Sequence, residues 1–362
     1  MASIGNMLSH LQFVRKKPLV LFRILNGYFK TLILRKKTLR TIDWGITYKC
    51  NFNCTYCSAK ILMRSNKDKK ELTPEQIKEV WNEAKKLGVI HVNLTGGEPT
   101  LKSVDELCRI IRNFEPNKFL ISLVTNGSLL NEEKIKKLKE AGLDTLQLSV
   151  DSSYPEIHDR LRNKKGNFSQ LMQCLRWAKK NGLNVCVSTI LTRDNFDDVK
   201  KLADLTKREK AFLLLNPIAA SGACQGKEEK KLKEMDKKRY YDLLKIGHVR
   251  TDTILNFRGG SGCPGGVERI EITAYGDVMT CPLVQISYGN VLEEPLTNIY
   301  KRISNFPLLK DFVKDCRHVF NDEYIQKMIR PIDNVKNLPI SIFDHPISKD
   351  KEVQQYLEKT KK

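Results

Sequence analysis

Between residues 43 and 216, short apolar runs and amphipathic segments alternate six times, and this alternation limits the available folds more than any other feature. Strands are expected at 43–48, 89–94, 119–125, 145–150, 184–190 and 211–216, with helices at 73–87, 104–114, 132–141, 168–180 and 195–207. Parallel neighbours need a crossover, usually a helix, so the pattern predicts an α/β chain with a parallel sheet. Runs such as Val92 to Gly97 and Leu213 to Pro217 suit strands covered on both faces. Thr73, with Glu75 and Gln76 behind it, reads as a helix cap, and Gly142 and Gly182 read as helix stops.

Four regions follow from the pattern: 1–40, basic and helical; 41–220, the strand–helix repeats; 221–320, a linker helix and a small domain; and 321–362, a tail. Residues 227–245 read as a charged helical connector, 259–266 as a glycine-rich loop, and 269–279 as a hairpin turning at Tyr275-Gly276-Asp277. Prolines 331, 339 and 346 leave the tail unassigned. At 362 residues, 41% hydrophobic and 29% charged, the chain is globular in composition. Its net charge of +21 is concentrated: residues 1–40 hold nine Lys and Arg and no acid.

Ten cysteines in a long chain do not form a disulfide framework, because three are grouped as Cys50-Asn-Phe-Asn-Cys54-Thr-Tyr-Cys57 directly after the first strand. Three thiolates on one loop can hold three irons of a [4Fe–4S] cube and leave the fourth iron open to a small chelating molecule. The competing reading, a structural zinc site, needs a fourth ligand, and no nearby His supplies one. Free thiolates imply a reducing compartment, the cytoplasm.

With Tyr56 at the aromatic position, this cluster resembles the Cys-x3-Cys-x-aromatic-Cys signature of the radical S-adenosylmethionine (SAM) superfamily. The resemblance runs across residues 43–216 and implies a partial (β/α)6 barrel. It also implies that SAM binds the open iron, is cleaved by one electron from the cluster, and yields a 5′-deoxyadenosyl radical that abstracts hydrogen from a substrate. A low-potential donor of flavodoxin or ferredoxin type is implied as partner. Thr95-Gly96-Gly97-Glu98-Pro99 is similar to the family's GGEP motif, in which the glycines would let backbone approach the ligand and Glu98 would orient the methionyl amine. Thr125-Asn126-Gly127 is similar to its TNG motif, although alone it is only a turn. Ser149 would meet the SAM ribose or carboxylate, and Arg162 the carboxylate through paired hydrogen bonds. His158 reads as a structural hydrogen-bonder. All these groups end strands, where parallel barrels collect their ligand sites.

A second constellation, Cys263-x12-Gly276-x4-Cys281 with Cys316 downstream, looks like the start of a SPASM auxiliary-cluster domain in its truncated twitch form. The usual later Cys pairs are missing, so the resemblance implies one auxiliary [4Fe–4S] cluster. Its fourth iron could take Cys224, a non-cysteine ligand or substrate. Buried free thiols are the competing reading, and the expected one for Cys108, Cys174 and Cys186.

Apolar residues recur at helical spacing from 21 to 33, flanked by Arg15-Lys16-Lys17 and Arg35-Lys36-Lys37. This reads as an interfacial helix on an anionic membrane, peripheral to the cytoplasmic face, or as a helix packed on the barrel; it is too interrupted by charge to span. A presequence would be richer in Ser, and nucleic-acid binding lacks the stacking aromatics. The leading substrate on this basis is a lipid or lipid precursor. The alternatives are a ribosomally made peptide, as for SPASM maturases, and a small alcohol or sugar, as for twitch dehydrogenases. A non-catalytic iron–sulfur carrier would not need the SAM motifs.

Overall fold

The computed structural model describes residues 17–218, 227–251, 257 and 262–360. Six strands follow the expected order: β1 (Thr41–Thr47), β2 (His91–Gly96), β3 (Leu120–Thr125), β4 (Thr145–Ser149), β5 (Asn184–Leu191) and β6 (Phe212–Pro217). Each pairs in parallel with the next, and the helices between them fall within a few residues of the sequence expectation. The fold is therefore α/β, with an open parallel sheet in the strand order expected of a partial (β/α)6 barrel. Thr73 and Gln76 complete a reciprocal capping box on the helix Pro74–Ala84.

The sheet is wider than the six repeats. Two-residue β7 (Val249–Arg250) extends it beyond β6. At the other edge β8 (Arg269–Ile272) pairs in parallel with β1, and β9 (Val278–Met279) turns back antiparallel on β8. The hairpin expected at 269–279 thus exists, with Gly276 at φ +91°, but it is continuous with the barrel sheet. The charged stretch 227–245 is helical only over Lys237–Leu244, after 3-10 turns; Asp236 there accepts from the Lys233 amide and pairs with Arg193, ending any continuous helix. In the tail, Ile340–Ser341 pairs with Ile286–Ser287, and a helix follows over Lys351–Thr360.

Trp44, Trp81, Phe114 and Phe119, all fully buried, form an edge-to-face cluster between the sheet and its helices. On the other face the sheet curves around a cavity of about 210 Å³ that touches every strand from β1 to β6, through Asp43, Asn93, Val124, Gln147, Ser188 and Leu215. Cys108 and Cys174 are buried as expected of core thiols, while Cys186 is half-buried.

Candidate active site

β1 delivers the chain to Cys50, Cys54 and Cys57, and the loop is held by neighbours from three other strand ends. The Gly97 and Glu98 amides donate to the carbonyls of Thr47 (2.7 Å) and Lys49 (2.8 Å). A Cβ at Gly96, where φ is +130°, would lie 1.9 Å from the Thr47 carbonyl, and one at Gly97 2.4 Å from that of Lys49. The close approach for which these glycines were expected is therefore made to the cysteine loop's own backbone. Glu98 also makes contacts within the chain. Its buried carboxylate accepts from the Thr100 amide (3.0 Å), the Thr125 hydroxyl (2.7 Å) and the Asn126 amide (2.7 Å), tying the GGEP and TNG stretches together. Asn126 donates to Asn51 Oδ1 at 3.0 Å, reaching into the cysteine loop.

The fourth strand end contributes Asp151, whose importance sequence reasoning missed although it lies two residues past Ser149. Its buried carboxylate accepts from the Tyr56 hydroxyl, Arg162 Nε and the Ile190 amide. Arg162 also lies 5.8 Å from the Tyr56 ring centre and 3.9 Å from Cys54 Sγ. Burial works against the guanidinium's charge, but Asp151 and the nearby Tyr56 and Cys54 outweigh it and hold Arg162 well above its ordinary range. The arginine expected at a SAM carboxylate thus pairs with a carboxylate of the chain. His158 is buried, accepting from the Asp151 amide and bonding Asn167, and burial keeps it neutral. Ser149, half-buried, alternates with buried Leu148 and faces the barrel interior with Gln147.

Burial raises the Cys50 thiol to about 11, although the Phe52 amide donates to its sulfur at 3.4 Å. Cys54 is raised by burial too, with Arg162 opposing. Iron binding would displace these protons. N–H···S bonds and a neighbouring guanidinium then suit cluster thiolates, so the donor set fits. Among the described residues no three Cys, His, Asp or Glu gather around a single ion; a cube spreads its ligands over separate corners.

The three later cysteines meet at the cavity's other end, where Cys263, Cys281 and Cys316 line it beside Arg317 and His318. A hydrogen bond from Cys316 lowers the Cys263 thiol below its ordinary range, whereas burial raises Cys281 to about 12. His318 Nδ1 is 3.0 Å from Cys316 Sγ, and its Nε2 is shielded and has no hydrogen-bond partner. Burial lowers His318 to about 4, leaving a neutral imidazole able to ligate metal. The Cys-x-His spacing was the sequence signal for it. These donors fit a second cluster. Cys224, the other candidate ligand, lies outside the described residues.

One thiol set on the loop after β1, braced by the next three strand ends, on an open parallel sheet, is the arrangement of a radical SAM enzyme, and residues 44–206 match the radical SAM superfamily. The family implies a [4Fe–4S] cluster and SAM. The chain is 26% identical over 284 residues to the PqqA peptide cyclase of Rhizobium meliloti, covering 72% of this chain and 73% of that one. It is 24% identical to the AdoMet-dependent heme synthase of Methanosarcina barkeri (75% and 85% covered) and 25% to the mycofactocin maturase MftC of Mycolicibacterium smegmatis (75% and 72%). The fold is similar to that of Streptococcus suis SuiB bound to its precursor peptide SuiA, with a TM-score of 0.59 at 16% identity, covering 76% of this chain and 66% of that one.

Proposed function

We propose that this enzyme modifies a peptide, with one substrate side chain entering the barrel cavity. The observation that carries the reading is the cavity itself. It runs from Thr95 and Pro217, at the C-terminal ends of β2 and β6, to the three later cysteines. At about 210 Å³ it is below the ~300–1,000 Å³ usual for whole small-molecule ligands. It suits a side chain better than a heme-sized substrate. One relative is named a peptide cyclase and another a maturase, which moves the peptide ahead of the lipid.

When bound, the cluster and SAM supply a carbon radical able to abstract hydrogen. The chain's residues do the rest. Glu98, Asn126 and Asp151 fix the cysteine loop, Gln147, Ser188 and Asn216 offer hydrogen bonds inside the cavity, and Val124, Ile190 and Leu215 exclude water. Cys263, Cys281 and Cys316, with His318 beside them, would hold the auxiliary cluster within reach of a substrate in the cavity.

The test is to incubate reconstituted, reduced enzyme with SAM and short precursor peptides encoded beside its gene. Peptide-dependent 5′-deoxyadenosine together with a mass change in the peptide supports the reading. Turnover stimulated only by lipid extracts or by small alcohols and sugars would replace it.

A further inference from the structure

The helix Pro18–Tyr28 continues through a π-helical turn, Phe29–Ile33, and has two different apolar faces. The inner face packs. Gly27 lies against the Phe257 ring, closer than any Cβ would allow, and Arg23 sits 4.2 Å from the centre of the Phe119 ring. Lys17 bonds the Phe119 carbonyl (2.9 Å) and Asp144 (2.6 Å). The packed-helix expectation is met on this side.

The outer face has no partner among the described residues. Of the thirteen large apolar side chains exposed among the described residues, eight fall between Leu19 and Leu34. Phe22 is 68% exposed, Leu25 59%, Phe29 52% and Ile33 68%. Their spacing of three and four places them along one stripe. Scattered exposed apolar residues need no explanation, but a continuous stripe does. Lys30, Arg35 and Lys36 stand in or beside it, with Arg35 and Lys36 exposed, and the first acidic residue of the whole chain is Asp43. No helix among the described residues is long and apolar enough to cross a membrane. Apolar stripe, basic flank and missing acid together complement one surface, an anionic bilayer met side-on.

The place of the helix adds a direction. Phe119 and Asp144 immediately precede β3 and β4, so the helix lies under the N-terminal ends of the strands. The cysteine loop lies past their C-terminal ends. Strands of six residues separate the two by about 20 Å. We infer that residues 18–34 form a foot that docks the enzyme on an anionic lipid surface, with the SAM-binding mouth turned away from the bilayer toward a substrate in solution. This goes beyond the peptide reading and does not depend on it.

The test is flotation of full-length reconstituted enzyme with vesicles of phosphatidylglycerol and phosphatidylcholine, or of phosphatidylcholine alone, at low and high salt. The variant F22S/L25S/F29S/I33S alters only the outer face, so its melting temperature and 5′-deoxyadenosine formation should match wild type. Its partitioning should fall about tenfold or more. Changing Lys30, Arg35 and Lys36 to Gln should remove the preference for anionic vesicles and the salt sensitivity. A Leu25→Trp variant reports insertion independently, through quenching by brominated acyl chains. No flotation of wild type, or equal flotation of the four-Ser variant, overturns the inference. So does a wild-type dimer that the four-Ser substitution dissociates, since a second copy would then cover the stripe.

Discussion

Asp151 is where one substitution should reveal most. Its side chain is 1% exposed, and that of its partner Arg162 is 13% exposed. Asp151→Asn keeps the volume and an acceptor oxygen but removes the charge, leaving the guanidinium without its carboxylate partner and beside the Cys54 sulfur 3.9 Å away. Breaking a buried pair from one side costs about 3–5 kcal/mol. The retained oxygen still serves Tyr56 or Ile190, so the lower end applies, about 3 kcal/mol. For a barrel of this size that is a fall of about 6–12 °C in melting temperature. Arg162→Gln in the same background should restore part of the loss, because the stranded charge disappears; the coupling should exceed about 1 kcal/mol. Calorimetry of the four proteins without iron gives the cycle, and equilibrium dialysis of the reconstituted proteins gives SAM affinity. Additive losses within about 0.5 kcal/mol would refute the pairing argument. If R162Q instead weakened SAM binding with no loss of melting temperature, the carboxylate-binding role implied by the resemblance would be the correct one.

Changing Cys50, Cys54 and Cys57 to Ala should abolish 5′-deoxyadenosine formation under dithionite, and retained cleavage would remove the central assignment. In C263A/C281A/C316A iron should drop from about eight to about four per chain while SAM cleavage persists; unchanged iron would make these cysteines ordinary thiols. Burial, helped by Asp43 and opposed by the Tyr48 hydroxyl and Arg269, raises Glu271 to about 8, against about 4.3 for an exposed glutamate. Between those values the folded chain holds a proton that the unfolded chain has released. This stabilising term, complete below about pH 4, is therefore lost as pH rises to 8, at up to ~1.4 kcal/mol per unit. Glu271→Gln should flatten that slope in urea unfolding, and an unaltered slope would count against it. Gly97→Ala places a Cβ 2.4 Å from the Lys49 carbonyl, an overpacking worth about 1–3 kcal/mol. It should lower both melting temperature and iron retention; wild-type values for both would show that the loop can yield.

What the sequence made legible was whatever is local. The six strands could be found because each is a short apolar run closed by a turn signal, and the helix over 74–84 because Thr73 and Gln76 announce its cap. The pairing of β8 with β1 was not visible, since Thr41 and Arg269 are opposed across more than two hundred residues with no local mark of it. Two-residue β7 is too short to carry any period. In the site, motif order identified the right loops but not which atoms they face. Glu98 and Arg162 look like ligand contacts in a linear reading because a carboxylate and a guanidinium near a cluster invite one. The fold also gives each a partner within the chain, which a linear reading does not show: Glu98 the hydroxyl of Thr125 and two amides, Arg162 the carboxylate of Asp151. The N-terminal helix is the same problem in reverse. Its apolar residues surround it almost entirely, so periodicity could not say which face packs until Phe257 appeared against Gly27.

The two cysteine sets and the foot share one axis, which narrows what the enzyme can accept. Gly265, bridged to Arg269 at the start of β8, would place a Cβ 3.6 Å from Cys263 Sγ and 3.9 Å from Cys281 Cβ, so the auxiliary thiols sit at the N-terminal end of the sheet. Cys50, Cys54 and Cys57 sit beyond the opposite end, past Thr47. On the peptide reading, the substrate group that reaches both would run through the cavity past Thr95 and Ile190 toward Cys281. A lipid in a bilayer beneath the foot would approach from the N-terminal end of the strands, where the helix and the auxiliary thiols both stand. Membrane attachment and a lipid substrate, joined in a reading of the sequence alone, therefore separate in the fold: an exposed foot supports the first, and the direction of the cavity speaks against the second.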